Sequence, residues 1–290
     1  VESAPRLDWP GVALLSVGLG ALLLAIAEGE TVGWSSAEIT GLFALAAVVL
    51  AVWVRQQLRA SAPLVELRLL RHPAVLTGDG CALVLGVAMY MYLSGVTTFV
   101  QIPDGSGYGF GASVVVAGLC LVPFSITSLA ASRALPWLGR TLGQRAVLPA
   151  GCLVVAAAGV FFALFHTALW HAFVMLGIVG LGLGTTFAAI PGLVVGAVPE
   201  HETGSAMGFY QVVRYIGFSV GSALAAALLA SRTPAGSVLP EESGYTLLLW
   251  VAVVVCVLAA ALAWALPGRP GPRPRANDEP AVLERGLTRV

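Results

Sequence analysis

The sequence predicts an all-α fold, a polytopic transmembrane bundle of about eight spans. Hydrophobic residues make up 58% of the 290-residue chain and charged residues only 10%. A water-soluble chain this poor in charge could not cover its own surface, so we expect lipid to surround it. The third observation is a series of apolar runs, since crossing roughly 30 Å of hydrocarbon takes about 20 helical residues.

Eight apolar runs approach or reach this length, each bounded by charges, prolines or glycine clusters. The first follows Arg6 and Asp8 and continues for a full span, which distinguishes it from a cleavable signal peptide. The second is the shortest. The predicted spans are approximately 10–27, 39–54, 74–102, 111–137, 146–165, 172–195, 204–230 and 245–266.

Most connections between the spans are short, and only residues 55–73 form a long linker. Leu64, Leu67 and Leu70 alternate there with Arg68 and Arg71, which predicts a short amphipathic helix on the membrane surface, with a solvated loop as the alternative. After residue 266 the sequence PGRPGPRPRANDEP has neither periodicity nor apolar mass. We expect a disordered tail there.

The arginines predict the orientation of the bundle. All fifteen basic residues are Arg, and with a cytoplasmic N-terminus and eight crossings only Arg232 falls outside, while Arg214 falls within a span. This asymmetry is typical of the positive-inside rule. The inside segments hold the other thirteen: Arg6, Arg55, Arg59, Arg68, Arg71, Arg133, Arg140, Arg145, Arg269, Arg273, Arg275, Arg285 and Arg289.

No pattern in the chain indicates an enzyme. The sequence has no GxSxG, HExxH or P-loop motif, and its histidines fall in the predicted loops. Four cysteines lie far apart inside apolar runs, without CxxC spacing, so they are expected to be packing residues. We therefore expect no cofactor, no metal site and no nucleic-acid partner.

Two charged residues fall within predicted spans, where each costs roughly 2.5–3.5 kcal/mol on an insertion scale. We hypothesise that Arg214 faces the bundle interior or an aqueous cavity and holds an anionic group of the protein or of a substrate. The alternative is a buried Arg that pairs with backbone carbonyls or extends to the interface. Asp79 lies near the cytoplasmic end of its span, where it is either favoured by the helix dipole or carries a proton.

Small residues at a spacing of four predict close helix packing. The pairs are Gly180 with Gly184, Gly204 with Gly208, and Gly217 with Gly221. Pro123 and Pro191 lie inside spans and predict local kinks or breaks.

One stretch resembles a known family. The string PEHETGSAMGFYQVVRYIGFSVGSALAAALL is similar to a late-span region of the fourteen-span drug:proton antiporters of the major facilitator superfamily. Their pattern is close to GxAxG followed by a polar residue and RxxGxxxGxA. The matching positions are Gly204, Ala206, Gly208, Gln211, Arg214, Gly217, Gly221 and Ala223.

Two further stretches support the resemblance: FGASVVVAGLCLVPFSITSLAASRALPWLGRTLGQR, and DWPGVALLSVGLGALLLAIAEGETVGW followed by PLVELRLLRHP. The cytoplasmic loop after the first contains Arg140, Gly143 and Arg145 but lacks the acid that usually precedes the family's Arg, so a charge relay there is in doubt. The likeness would make the eight spans numbers seven to fourteen. The chain would then be an N-terminally truncated form, with the missing six-helix half as its partner.

The resemblance implies a central helix pair at 1–54, a cytoplasmic linker at 55–73, a six-helix transporter half at 74–266 and a cytoplasmic tail at 267–290. It also implies a proton-coupled exporter of small molecules in the bacterial plasma membrane, inactive without its other half. Bulky cations or amphiphiles are the expected substrates, because aromatic and amide side chains suit them. The expected pathway residues are Asp79, Tyr90, Tyr92, Gln101, Tyr210, Gln211 and Arg214.

Two alternatives remain from the sequence. One is a non-transporting or regulatory half-transporter. The other is the membrane subunit of an ABC system, which would borrow a separate ATPase and be sensitive to vanadate.

Overall fold

The computed structural model describes residues 8–60, 73–199, 202–234 and 236–265, and these form α-helices joined by short connections. Eight segments in this part of the chain are long and apolar enough to cross a membrane. The helices are α1 Trp9–Val32, α2 Ala37–Gln57, α3 Pro73–Gln101, α4 Val114–Leu119, α5 Leu121–Thr141, α6 Gln144–Leu164, α7 Leu169–Val195, α8 Thr203–Ala230 and α9 Glu242–Ala265.

All eight predicted spans are therefore confirmed, with ends that differ by a few residues. The fourth is divided into α4 and α5 at Cys120, three residues before Pro123, whose ring nitrogen cannot donate a helical hydrogen bond. By contrast, α7 continues through Pro191. The predicted amphipathic helix in the linker and the predicted disordered tail lie outside the described residues, apart from the linker's first residues and Pro73.

Helices α1 and α2 form an antiparallel hairpin tied together at one end by Asp8. The Asp8 carboxylate caps α1 by accepting from the Gly11 amide at 3.0 Å. It also accepts from the side-chain amides of Gln56 and Gln57 at the end of α2, at 2.9 and 2.7 Å. One N-cap residue thus sets both the start of α1 and the position of the end of α2.

The remaining helices pack in a fixed order. α3 contacts α7, α8 and α9, while α7 contacts α5 and α6, and α6 also packs on α9. Helices α3, α6, α7 and α9 form the core, which includes Leu85, Met91, Val155, Met175 and Leu248. α5 packs on α7 at one edge of the core and α8 packs on α3 at another, and both helices have few buried residues.

Glycines bring the helix backbones together at three crossings. A Cβ at Gly217 of α8 would lie 2.3 Å from the Leu83 carbonyl oxygen of α3, and one at Gly180 of α7 would lie 2.3 Å from the Phe124 carbonyl oxygen of α5. A Cβ at Gly182 of α7 would likewise lie 2.7 Å from the Gly151 carbonyl oxygen of α6. Small residues allow this approach where lipid supplies no hydrophobic driving force between helices.

Two of the glycines singled out in the sequence differ from this pattern. A Cβ at Gly204 or Gly208 would meet no described atom within 4 Å. Both lie near the start of α8, before the part of that helix that crosses α3. Gly221, one turn after Gly217, does lie against α3, where its Cβ would be 2.5 Å from the Val87 carbonyl oxygen.

Aromatic residues close the end of the bundle opposite Asp8. Phe99 of α3 has the rings of Phe162 and Tyr245 at centroid distances of 5.6 and 5.3 Å. Beside them the His166 imidazole lies between two acceptors, the Phe162 carbonyl oxygen at 3.0 Å and the Glu242 carboxylate at 2.7 Å. The His166 side chain therefore links the end of α6 to the start of α9.

Replacing Gly217 with Ala should destabilise the protein, because the new methyl group would lie closer to the α3 backbone than van der Waals contact allows. We expect a cost of roughly 1–3 kcal/mol, measured as a lower midpoint of thermal unfolding in detergent. Gly208→Ala is the matched control and should leave the midpoint unchanged or slightly raised, since alanine favours the helix. Equal midpoints for the two variants would contradict the close approach of α8 to α3.

Candidate functional site

A groove opens between α5 and α7, which we call the α5–α7 groove. It has a volume of about 490 Å³. Its lining residues are Phe124, Ser125, Ser128, Leu129, Ser132, Gly184, Phe187 and Ala188.

The groove is polar on its α5 side because three serines recur along one face of that helix. Ser125, Ser128 and Ser132 are spaced by three and four residues, which places them on one stripe of an α-helix. The Ser125 hydroxyl donates to the Leu121 carbonyl at 3.2 Å, and that of Ser132 donates to the Leu129 carbonyl at 2.8 Å. Each hydroxyl oxygen keeps its lone pairs and can still accept a hydrogen bond from a ligand.

The α7 side of the groove is small and apolar. A Cβ at Gly184 would lie 2.4 Å from the Ser128 carbonyl oxygen, so the two backbones touch at this level. One turn further along the chain, Phe187 provides an aromatic wall. The Thr127 hydroxyl donates to the Gly177 carbonyl at 2.7 Å and fixes the two helices relative to each other.

Phe187 also connects the groove to Arg214 of α8. The guanidinium carbon lies 5.3 Å from the centre of the Phe187 ring and 5.8 Å from that of Tyr210. Tyr215 and Phe218 follow at 5.5 and 5.7 Å. Four rings therefore surround one cation, within the distance at which ring quadrupoles attract it.

Arg214 is only half-buried, and its polar atoms are incompletely satisfied. Its Nε is buried without a hydrogen-bond partner. No carboxylate of the described residues lies within 4.0 Å of its guanidinium. The group therefore faces the groove's aromatic wall without a counter-ion in the described part of the chain.

Asp79 is the one acidic side chain of the described residues that is buried. It lies on α3, two turns before Gly86, whose Cβ would be 2.8 Å from the Arg214 carbonyl oxygen. The Tyr210 hydroxyl is close enough to interact electrostatically with both Asp79 and Arg214. The buried Tyr210 ring thus stands beside both charges, and one carboxylate oxygen of Asp79 has no hydrogen-bond partner.

The structure brings together three of the residues expected to line a pathway: Asp79, Tyr210 and Arg214. Tyr90 lies further along α3, with its Cβ 3.1 Å from a Cβ placed at Gly221, and is 40% exposed. Gln211 is exposed on α8. Both remain predictions as pathway residues.

Tyr92 and Gln101 lie apart from this group, and their roles as pathway residues stay predictions. Tyr92 is fully buried, with its hydroxyl against Gly159 of α6 and beside Cys256 of α9. Consecutive turns of α3 face different neighbours, so Tyr92 belongs to the core and not to the α5–α7 groove. Gln101 lies at the last residue of α3, where its amide donates to the Thr97 carbonyl at 2.7 Å. It is about 22 Å along the helix from Gly86, at about 1.5 Å per residue.

In the loop after α5, Gly143 adopts a φ of 81° and caps α6. Arg145 then reaches α9, where its guanidinium lies 5.7 Å from the Trp264 ring and donates to the Trp264 carbonyl at 3.4 Å. Arg140 lies in the last turn of α5. This loop therefore joins α5 to α6 and attaches α6 to α9.

Sequence reasoning missed the serine stripe and Phe187. The spacing of Ser125, Ser128 and Ser132 was visible in the string SITSLAAS as a polar stripe inside an apolar span. Phe187 had no such mark, because its importance comes from lying between a groove and a charge on another helix.

Comparison with known proteins gives a family match. The model of the Major Facilitator Superfamily matches residues 9–222. The multidrug resistance protein Stp of Mycobacterium tuberculosis is 30% identical over 232 residues, which cover 79% of this chain and 42% of that protein. The probable actinorhodin transporter of Streptomyces coelicolor is 30% identical over 231 residues, 76% of this chain and 39% of that protein.

A third relative is the puromycin resistance protein of Streptomyces alboniger. It is 30% identical over 283 residues, which cover 91% of this chain and 54% of that protein. The chain spans about half the length of the curated relatives that it matches.

A cysteine at Ser128 should react with a charged, membrane-impermeant thiol reagent, because the groove is open and polar. The four native cysteines are buried, so the unaltered protein should give little labelling. Leu153→Cys is the control, since Leu153 is 52% exposed but faces outward from α6, where lipid suppresses formation of the reactive thiolate. Labelling is measured by intact-protein mass spectrometry in membranes. Equal labelling of the two variants would show that the groove is filled by lipid.

Proposed function

The chain belongs to the major facilitator superfamily, and from this membership we propose that it binds small molecules in the α5–α7 groove as part of a secondary active exporter. The observation that carries the proposal is a polar groove in the membrane-spanning part of the bundle beside an arginine without a counter-ion. Polar and charged groups are costly in lipid and are retained where they contact a ligand, an ion or water.

The position of the groove fits alternating access. In transporters of this kind the substrate binds near the bilayer midplane, at the interface of two related helix bundles. Arg214 is the twelfth residue of α8, about 16 Å from the start of the helix at about 1.5 Å per residue, and so lies near the middle of a membrane of roughly 30 Å. The groove beside it lies at a similar depth.

The partner of this open face is, in our proposal, a second six-helix bundle. α5 has one buried residue, Ala131, and α8 is mostly half-buried, although both flank the groove, whereas α3, α6 and α7 are largely buried. A ligand held between two bundles would be exposed to one side of the membrane at a time as the bundles rock. The α1–α2 hairpin contacts α8 through α1, so it lies at the α8 edge of the bundle.

The relatives support a drug-like substrate. The names of three of them refer to multidrug resistance, actinorhodin and puromycin. We propose that this protein exports molecules of similar size with aromatic character. Phe124 and Phe187 in the groove offer ring surfaces for such molecules.

We propose that a proton gradient drives export, with Asp79 as a residue that exchanges the proton. Its carboxyl is buried close to Tyr210 and has an oxygen without a hydrogen-bond partner. A carboxyl so placed can change its charge without breaking an ion pair. Asp79→Asn, which fixes the neutral form, should then transport with little dependence on pH.

Expression of the protein together with a six-helix partner bundle, in a bacterial strain stripped of its efflux pumps, should lower the accumulation of at least one of two fluorescent aromatic dyes, the anionic fluorescein and the cationic ethidium. Expression of the protein alone should not. A protonophore should abolish the effect while cellular ATP is held constant, and vanadate should not. Ser128→Trp should raise accumulation to the level of the empty vector, because the indole would fill the groove.

Leu153→Trp is the matched control and should export like the unaltered protein, since Leu153 faces outward from α6. Accumulation is measured by fluorescence, and protein levels by immunoblotting of membranes. Export that survives Ser128→Trp at equal expression would exclude the groove as the substrate site. Vanadate sensitivity would replace the proposal with the ABC alternative.

A further inference from the structure

Arg214 is a permanent cation whose charge is not neutralised by a direct partner. The guanidinium group stays protonated in proteins, so the protein cannot relieve its charge by losing a proton. Within the described ranges, no carboxylate forms an ion pair with it and its Nε has no acceptor. The group is prepared to donate to an anion that it does not find in this part of the chain.

Asp79 does not take that place. Both residues interact with Tyr210, yet the two charged groups are more than 4.0 Å apart. The Tyr210 ring is 2% exposed and is held in the core, so it does not swing aside as a surface side chain would. The close contact of α8 with α3 at Gly86 and Gly217 also fixes the helix that carries Arg214.

The surroundings of Arg214 select the shape of its ligand. Phe187, Tyr215 and Phe218 lie within 5.7 Å of the guanidinium carbon and cover part of its surface with aromatic rings. Phe187 is at the same time a wall of the α5–α7 groove. A flat ring in the groove would contact Phe187, and an acidic group on that ring would be directed towards Arg214.

The serines complete the description. Ser125, Ser128 and Ser132 line the far side of the groove, and their hydroxyls can hydrogen-bond to carbonyl or hydroxyl substituents on a ring system. No acidic side chain lines the groove, so a cationic ligand would meet the positive charge of Arg214 with no nearby compensation.

We infer that the α5–α7 groove and Arg214 together bind aromatic acids, with the ring lying in the groove along the line where α5 and α7 meet and the anionic group on the guanidinium. This inference rests on the proposed function and names its substrate class. The inferred substrates differ from the cations expected from the sequence. The four rings that could attract a cationic ligand already surround Arg214, and no acidic side chain lines the groove.

The test is direct binding to the purified full chain in nanodiscs of uncharged lipid, at neutral pH, by isothermal titration calorimetry. The probes are naphthoate, naphthamide and naphthylmethylammonium, which share one ring system and differ in charge. We expect naphthoate to bind at least about tenfold more tightly than the ammonium compound, since a charge-assisted hydrogen bond is gained by one and repulsion is met by the other. Tighter or equal binding of the ammonium compound would overturn the inference.

Arg214→Gln should weaken naphthoate binding by about tenfold or more and leave naphthamide binding unchanged. Arg214→Lys keeps the charge but loses the planar fork, so naphthoate affinity should fall between the two. Arg232→Gln is the control, because Arg232 is exposed in the α8–α9 connection, and it should bind all three probes like the unaltered protein. Naphthoate binding that is indifferent to Arg214→Gln would also overturn the inference.

Naphthamide binding reports on the fold of each variant, because it needs the groove but not the charge. If Arg214→Gln does not fold, the three probes on the unaltered protein and on Arg214→Lys still decide the question. The proposed function is tested separately. Naphthoate binding without export in cells would support the aromatic-acid site and contradict the proposed export function. Export of cations but not of aromatic acids, blocked by Ser128→Trp, would support the export function and contradict the aromatic-acid site.

Discussion

Backbone contact at glycine positions holds this bundle together and determines where its groove lies. Lipid tails are as apolar as leucine, so helices in a membrane gain little from burying apolar side chains against each other and depend on close packing. Gly180 and Gly184 bring α7 onto α5, and Gly217 and Gly221 bring α8 onto α3. Each of the helices α5 and α8 packs mainly along one line of contact, which leaves part of its surface open.

The same contacts explain why Arg214 has no counter-ion nearby. α8 packs against α3 at Gly86, and this contact fixes the position of the Arg214 backbone next to α3. The side chain extends towards Phe187 on α7, and no carboxylate of the described residues lies within 4.0 Å of it. Tyr210, which interacts with both Asp79 and Arg214, is 2% exposed and held in the core.

Much of the fold was predictable because the bilayer acts on single segments. Span length follows from hydrocarbon thickness, so local sequence suffices to place the spans. The orientation given by arginine placement stays a prediction. The grouping of Asp79, Tyr210 and Arg214 was partly predictable for the same reason, since charges within spans stand out. Tyr92 and Phe187 were not, because burial in a core and contact with a neighbouring cation depend on how helices rotate against each other, which hydropathy does not record.

The two ends of the bundle differ in a way that bears on movement. At the end opposite Asp8, Phe99 packs between rings from α6 and α9, and His166 binds Glu242 across those helices. At the other end, Arg145 binds the carbonyl of Trp264. Both ties connect α6 to α9 on the side away from the groove. The core is therefore closed at both ends, and a change of access at the groove would come from rigid movement of this bundle against a partner, since interfaces rearrange more readily than packed cores.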